Sequence, residues 1–248
     1  MRGLSPLRFR RLLLGLGMWG ALLGLGAAPT PEAPPSEGVQ VPVVLDGVRY
    51  EPEEFNRMEA DLRRRGIVLC FTVARDGTLH AFSSYLQGCH EFLEREWGLS
   101  GPLVYPPPVY PLRVRTGEEK VKGVGVWVEP IVGPSSSDSF GGITPSQLCP
   151  PPDSYWSPNW EHILCQGNGF AVSPQTAIAD LRQIPGPCAG NWNDCISSAQ
   201  AASGIRYLIL WEHINFQGAA FEIPGGWTAP DLRVFGWNDR ASSLYAQP

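Results

Sequence analysis

Two short segments near the C-terminal end carry oxygen-bearing side chains at the same spacing. One reads Trp-Asn-Asp-Cys-Ile-Ser-Ser at 192–198, and the other reads Trp-Asn-Asp-Arg-Ala-Ser-Ser at 237–243. Each offers an amide, a carboxylate and two hydroxyls, and Ca²⁺ binds oxygen ligands of these kinds. Asn, Asp and Ser also form ordinary turns, because their side chains hydrogen-bond nearby backbone. One copy alone favours a turn, whereas two copies in matched positions favour a calcium site.

The two segments close the halves of a sequence repeat. WEHILCQGNGF at 160–170 matches WEHINFQGAAF at 211–221 at seven of eleven positions, and an Asp-Leu-Arg triplet follows in both copies. The first copy has six extra residues around QIPGPCAG. Alternating apolar residues between Gly-rich and Pro-rich turns predict four short strands per copy. Eight such strands favour two packed Greek-key sheets in a mainly β fold.

The combined pattern resembles the βγ-crystallin motif of the microbial, calcium-binding type. It consists of aromatic-Glu-x-x-x-Phe-x-Gly, then Asp-Leu, then Trp-Asn-Asp-x-x-Ser-Ser. The resemblance covers 155–248 and implies a β-sandwich of two interlocked Greek keys. It also implies two calcium sites at one end, each taking oxygens from both loops. The candidate ligands that it implies are Asn193, Asp194, Ser197, Asn238, Asp239 and Ser242, with the motif glutamates Glu161 and Glu212 as additional candidates.

The first repeat departs from this pattern at two cysteines. Cys165 stands where the second repeat has Phe216, so the first corner lacks its aromatic residue. A bridge from Cys165 to Cys188 in the insertion would replace that packing by a covalent tie. Cys195 lies inside the first loop, where a disulfide would either rigidify or distort the site containing Asn193 and Asp194.

The N-terminus has the layout of a secretory signal. Four arginines precede an uncharged run from Leu12 to Ala28 that is rich in Leu and Gly, which predicts a signal peptide at 1–28. Without those arginines, 15 basic residues remain against 24 acidic ones, a formal net charge of −9. Such an acidic chain argues against nucleic acid and against anionic membrane surfaces as partners, and is compatible with divalent cations. A membrane anchor at 12–28 is the alternative to cleavage.

Six cysteines are consistent with export to an oxidising compartment. Cys70 and Cys89 both lie in the N-terminal half, so they are expected to pair with each other. The other four allow three pairings, which the sequence leaves open. No CxxC pair and no Cys/His spacing indicates zinc.

Amino-acid composition divides residues 29–154 into a leader, a small domain and a linker. A Pro-rich leader is predicted at 29–40 and a Pro/Gly/Ser-rich linker at 101–154, with a possible strand between Val121 and Val132. Residues 41–100 have the pattern of a small α+β domain. Its helices are expected to begin at Pro52 and Tyr85 and to end at Gly66 and Gly98.

These observations predict a non-enzymatic calcium-binding protein that is secreted or held in the periplasm or cell envelope. Nucleotide-binding loops, nucleophile elbows and zinc-protease motifs are absent from the sequence. One alternative is a secreted peptidase inhibitor that uses the insertion QIPGPCAG as its loop. Another is a module that binds envelope glycan through exposed tryptophans, although core positions are the simpler interpretation of the tryptophans. The sequence leaves the oligomeric state open.

Overall fold

The two repeats form a sandwich, and each repeat contributes three of its strands to one of the two sheets. A computed structural model describes residues 38–116, 125–129 and 149–248. The first repeat contains β7 (Ser157–His162), β8 (Gln166–Val172), β9 (Ala177–Ile178) and β11 (Ser198–Gln200), with the short β10 (Pro185–Cys188) in the insertion. The second contains β12 (Tyr207–His213), β13 (Gln217–Pro224), β14 (Thr228–Ala229) and β15 (Ser243–Gln247).

The repeats exchange their third strands. Strand β9 of the first repeat pairs with β15 of the second, with Ile178 opposite Leu244. Strand β14 of the second repeat pairs with β11 of the first, with Ala229 opposite Ala199. Within the repeats, the strands therefore lie in the orders β13-β12-β15-β9 and β14-β11-β7-β8. This exchange makes the sandwich a double Greek key and confirms the predicted fold class.

The hairpin corners of the two repeats have the same backbone conformation. Leu164 and Asn215 both lie in the left-handed region, at φ 60° and 59°. Gly167 and Gly218 follow at φ 79° and 77°, a conformation that costs glycine little and other residues more. Cys165 therefore occupies the first corner without changing the turn that Phe216 occupies in the second.

The core between the sheets is built around tryptophans and aliphatic residues. Trp192 and Trp237, which introduce the two loops, are fully buried there, and Trp160 and Trp211 are buried elsewhere in the sandwich. Because large aromatic side chains contribute much of the free energy of a core, these positions explain the tryptophans as structural residues.

The N-terminal region contributes strands and two helices. Its elements are β1 (Val43–Leu45), β2 (Val48–Tyr50), α1 (Pro52–Arg64), β3 (Cys70–Val73), β4 (Leu79–Phe82) and α2 (Leu86–Trp97). Both helices lie where the sequence predicts them. Gly98 ends α2 in the left-handed conformation that commonly closes a helix.

This region shares a sheet with the second repeat. Strand β3 pairs in parallel with β13, with Phe71 opposite Phe221, so the sheet order continues as β2-β1-β4-β3-β13. Helix α2 packs on the outer face of the sheet, against residues that include Tyr207 and Trp211. Helix α1 buries Phe55 in the core of the sandwich. The sequence predicted separate units at 41–100 and 155–248, and that prediction did not include a sheet shared between them.

Parts of the predicted linker also belong to the sandwich. Strand β6 (Val126–Glu129) pairs with β8, and β5 (Val114–Thr116) pairs with β6. The hydroxyl of Tyr105 donates to the carbonyl of Phe216 at 2.7 Å. The predicted signal peptide, most of the leader, and residues 117–124 and 130–148 of the linker lie outside the described residues.

Three disulfides join the six cysteines. Cys70–Cys89 confirms the predicted pair and ties β3 to α2. Of the three pairings that the sequence left open, the structure has Cys149–Cys165 with Cys188–Cys195, and not the one that joins Cys165 to Cys188. Cys165 lies in a small cluster with Cys149 and Trp160, whereas the insertion folds back onto its own loop. Among the described residues, no helix is long and apolar enough to cross a bilayer.

Candidate metal centre

The two Asn-Asp loops have nearly identical local geometry. Each follows a fully buried tryptophan, which fixes the start of the loop against the core. Asp194 and Asp239 both adopt left-handed backbone conformations, at φ 51° and 52°. The Asn193 amide donates to Asp194 Oδ2 at 2.5 Å, and the Asn238 amide donates to Asp239 Oδ2 at 2.6 Å.

The loops lie side by side and hydrogen-bond to each other. The backbone N–H of Asp194 donates to the Ala241 carbonyl at 3.0 Å, and the N–H of Asp239 donates to the Ile196 carbonyl at 3.1 Å. These reciprocal bonds hold the loops in register at one end of the sandwich. Side chains of one loop can therefore reach those of the other.

Four of the candidate ligands proposed from the sequence, two aspartates and two serines, meet crosswise between the loops. Ser197 Oγ donates to Asp239 Oδ1 at 3.3 Å and to the Glu161 carbonyl at 2.7 Å. Ser242 Oγ donates to Asp194 Oδ1 at 3.2 Å. We refer to Asp239, Ser197 and the Glu161 carbonyl as the Asp239 site, and to Asp194 and Ser242 as the Asp194 site. Each combines a carboxylate of one loop with a hydroxyl of the other.

The carboxylates of the two motif glutamates are engaged elsewhere. Glu161 Oε1 accepts from the backbone N–H and the side-chain amide of Asn168, both at 2.8 Å, across the β7–β8 hairpin. Glu212 pairs with Arg240 at 3.2 Å and with Arg63. Burial by itself raises the pKa of Glu212, but the two guanidinium groups hold that pKa below its ordinary value. The contact of Glu161 with the two loops is therefore the one between its backbone carbonyl and Ser197 Oγ.

The donor set fits a hard divalent cation. Carboxylate, hydroxyl and carbonyl oxygens are the ligands that Ca²⁺ prefers, with water completing a shell of six to eight. Asn238 Oδ1 is buried and has no hydrogen-bond partner among the described residues, a state that costs free energy unless a ligand satisfies the oxygen. Burial raises the pKa of Asp194, and hydrogen bonds from Ser242 and Asn193 oppose that rise.

The described residues do not offer a comparable set of thiolate ligands for a soft metal such as zinc. One group of three potential ligands, Cys70, Cys89 and Glu222, lies within ligand distance in the described part of the chain. Its two sulfur atoms form a disulfide, so they cannot act as thiolate ligands. The paired loops are therefore the better candidate for a metal centre.

No family model and no curated protein matches the chain. Solved structures similar to it include βγ-crystallin domains. They include a βγ-crystallin from Ciona intestinalis (19% identity, TM-score 0.30, covering 37% of this chain and 99% of that one). An archaeal βγ-crystallin has 20% identity and a TM-score of 0.30, covering 38% and 99%. Spherulin 3a from Physarum polycephalum has 21% identity and a TM-score of 0.31, covering 39% and 86%. The double Greek-key fold of residues 155–248 is assigned from the strand exchange and the repeated motif of this chain itself.

The two loops of this crystallin-like domain differ in the residue that follows the aspartate. Cys195 is fully buried and bonded to Cys188, whereas Arg240 is nearly buried and ion-paired. The disulfide leaves the first loop undistorted, since Asp194 and Asp239 have matching conformations. The ion pairs of Arg240 with Glu59 and Glu212 could not be recognised from the sequence, because the partners lie far apart in the chain and carry no motif.

Proposed function

We propose that this protein is a secreted, non-enzymatic calcium-binding protein in which calcium ties the two Asn-Asp loops together and stabilises the crystallin-like domain. The crosswise pairing of Asp194 with Ser242 and of Asp239 with Ser197 carries this proposal. A turn needs no oxygen from the other loop, whereas a metal centre between the loops requires it. The buried, unpartnered Asn238 Oδ1 gives further support.

The charge of each site sets the expected affinity. Each has one carboxylate and otherwise neutral oxygens, which places calcium dissociation constants between roughly 10⁻⁶ and 10⁻³ M, as in sensors and extracellular modules. The three disulfides are consistent with an oxidising environment. An extracellular environment would supply calcium at concentrations that fill sites of this strength.

Thermal unfolding with calcium or chelator tests the proposal. A ligand at 100 times its dissociation constant stabilises the folded state by about 2.7 kcal/mol. At about 2–4 °C per kcal/mol for a chain of this size, Tm should rise by roughly 5–10 °C. Isothermal titration should show calcium binding over the same concentration range. If calcium gives neither heat nor a change in Tm, the proposal fails.

Three matched substitutions locate the site. Asp194→Asn and Asp239→Asn should each weaken calcium binding, because each removes the charge of one site with little change in shape. Asp231→Asn removes a carboxylate of the second repeat that pairs with Arg233 outside the loops. It should leave the calcium titration unchanged. Equal weakening by all three would indicate a general charge effect.

A peptidase inhibitor remains a second candidate because the insertion forms an exposed, closed loop. Residues 185–190 are mostly exposed, and the Cys188–Cys195 disulfide anchors them to the buried base of the first loop. The N–H of Gly186 also donates to the Gly190 carbonyl at 3.2 Å. A rigid exposed loop of this kind is pre-organised for insertion into a partner's cleft. Inhibition of a panel of secreted proteases by the intact protein, lost on deletion of the insertion, would support it.

The glycan-binding alternative lacks its expected surface. Of the eight tryptophans within the described residues, none is exposed, and only Trp97 and Trp227 are half-buried. Stacking of a sugar ring requires an open aromatic face. The described tryptophans therefore act as packing residues.

A further inference from the structure

Arg240 fixes the second loop through contacts that the first loop does not have. Its guanidinium lies 4.8 Å from the ring centre of Trp237, and Nη1 donates to the Gly236 carbonyl at 2.5 Å. Nη2 lies 3.2 Å from Glu212 Oε1 and 3.6 Å from Glu59 Oε1. The side chain is only 13% exposed. Arg240 thus joins its own loop both to the β12 strand and to helix α1.

Helix α1 provides the other half of this contact. Glu59 and Arg63 lie one turn apart on the helix and pair at 2.8 Å, and Arg63 also pairs with Glu212. Two arginines and two glutamates therefore alternate in one ion cluster, which consists of Glu59, Arg63, Glu212 and Arg240. The Glu59 and Glu212 side chains are only 13% and 15% exposed, so removing one partner leaves a nearly buried charge without compensation.

The cluster adjoins the candidate ligands on both sides. Arg240 directly follows Asp239 and precedes Ser242 by two residues. Glu212 follows Trp211, whose carbonyl accepts the backbone N–H of Ser242 at 2.8 Å. A shift of the Arg240 side chain would therefore move oxygens of both sites. In the first loop the corresponding position, Cys195, is held covalently by Cys188.

We propose that Arg240 is a positioning residue for the calcium sites, and that helix α1, through Glu59 and Arg63, sets calcium affinity by holding Arg240 in place. This inference rests on the proposed calcium function. The N-terminal region would then regulate the metal centre as well as cover the sheet. In metal sites generally, removing a partner that orients a ligand weakens metal binding by about 10–100-fold.

A pair of double variants of helix α1 tests the inference in the full chain. Glu59→Gln with Arg63→Gln removes the helix half of the cluster without touching either loop. Asp61→Asn with Arg64→Gln removes a neighbouring exposed pair, joined at 3.2 Å, from the same helix. By isothermal titration, the first variant should bind calcium roughly 10-fold or more weakly, and the second within about twofold of wild type. A first variant with a lower Tm but unchanged calcium affinity would overturn the inference.

Amide hydrogen exchange in chelator separates this inference from the calcium proposal. Loss of the cluster should speed exchange of the Ser242 amide about tenfold, because charge-assisted contacts no longer hold the second loop. The Ser197 amide, which donates to the Trp160 carbonyl at 2.9 Å within the first repeat, should be unaffected. If wild type binds no calcium, the proposed function fails, yet this exchange pattern still reports whether helix α1 holds the loop. Equal exchange of both amides in both variants would overturn the inference.

Discussion

Glu222 on β13 makes the stability of this protein depend on pH. The side chain is fully buried under helix α2, and neither carboxyl oxygen has a hydrogen-bond partner in the part of the chain that the structure describes. It lies close to the Cys70–Cys89 disulfide, and the hydroxyls of Tyr85 and Tyr207 are the nearby titratable groups that interact with it. Burial without a compensating charge raises the pKa of Glu222 to about 8.

The sign and size of the effect follow from proton linkage. An exposed glutamate of the unfolded chain has a pKa of 4.5. Between about pH 4.5 and 8, the folded protein therefore keeps a proton that the unfolded chain releases. The free energy of unfolding should fall as the pH rises, by about 1.4 kcal/mol per pH unit. From pH 5 to 8 the loss is about 3–4 kcal/mol, and above about pH 9 this contribution stops changing because both states are ionised.

Glu222→Gln isolates this contribution, because glutamine resembles the protonated side chain and does not titrate. Urea unfolding at pH 5.5, 6.5 and 7.5 should show the variant gaining stability relative to wild type as the pH rises, because all three values lie between the unfolded and folded pKa of Glu222. Between pH 5.5 and 7.5 this advantage of the variant should grow by about 2–3 kcal/mol. Glu91→Gln, at an exposed position of helix α2, is the control and should parallel wild type. Parallel pH profiles for Glu222→Gln and wild type would refute the reasoning.

Three further predictions concern the packing of the N-terminal region and the insertion, and all are measured by chemical unfolding. Phe71→Ala should cost about 3–5 kcal/mol, because it opens a cavity between the shared sheet and the core. Replacing Cys188 and Cys195 by serine should cost about 2–3 kcal/mol, mainly through the greater freedom of the unfolded chain. Tyr85→Phe should cost about 1–2 kcal/mol, since its hydroxyl donates to the Gly218 carbonyl at 2.8 Å. A loss below 0.5 kcal/mol (roughly the effect of an ordinary surface substitution) would contradict each prediction.

The features that the sequence predicted correctly depend on local or repeated signals. The helices of the N-terminal region follow from a proline at one start and glycines at the ends, signals contained within a few residues. The Greek-key strands follow from the repeat, because two copies of one pattern imply one structure used twice. Cys70 and Cys89 were the only cysteines in their half of the chain, which left no other local partner.

The features that it missed depend on contacts between distant segments. Thr72 lies opposite Glu222, 150 residues later, and no periodicity in either strand identifies its neighbour. The possible strand at Val121–Val132 contains β6, but nothing in its sequence identified β8 as its partner. The pairing of Cys149 with Cys165 likewise depends on where the corner of the first repeat lies after folding.

The two loops have the same backbone conformation, although a disulfide holds one and ion pairs hold the other. This difference helps to decide whether the loops are ordinary turns or parts of a metal centre. A turn explains the contact of each asparagine amide with the adjacent aspartate, which lies within one loop. It does not explain why the carboxylates of Asp194 and Asp239 each accept a hydrogen bond from a serine hydroxyl of the opposite loop, at 3.2 and 3.3 Å. Nor does a turn explain why the Cys188–Cys195 disulfide anchors the first loop and the Arg240 ion cluster anchors the second. Substitutions that break the crosswise contact, and not those that alter a single turn, therefore discriminate between the two interpretations.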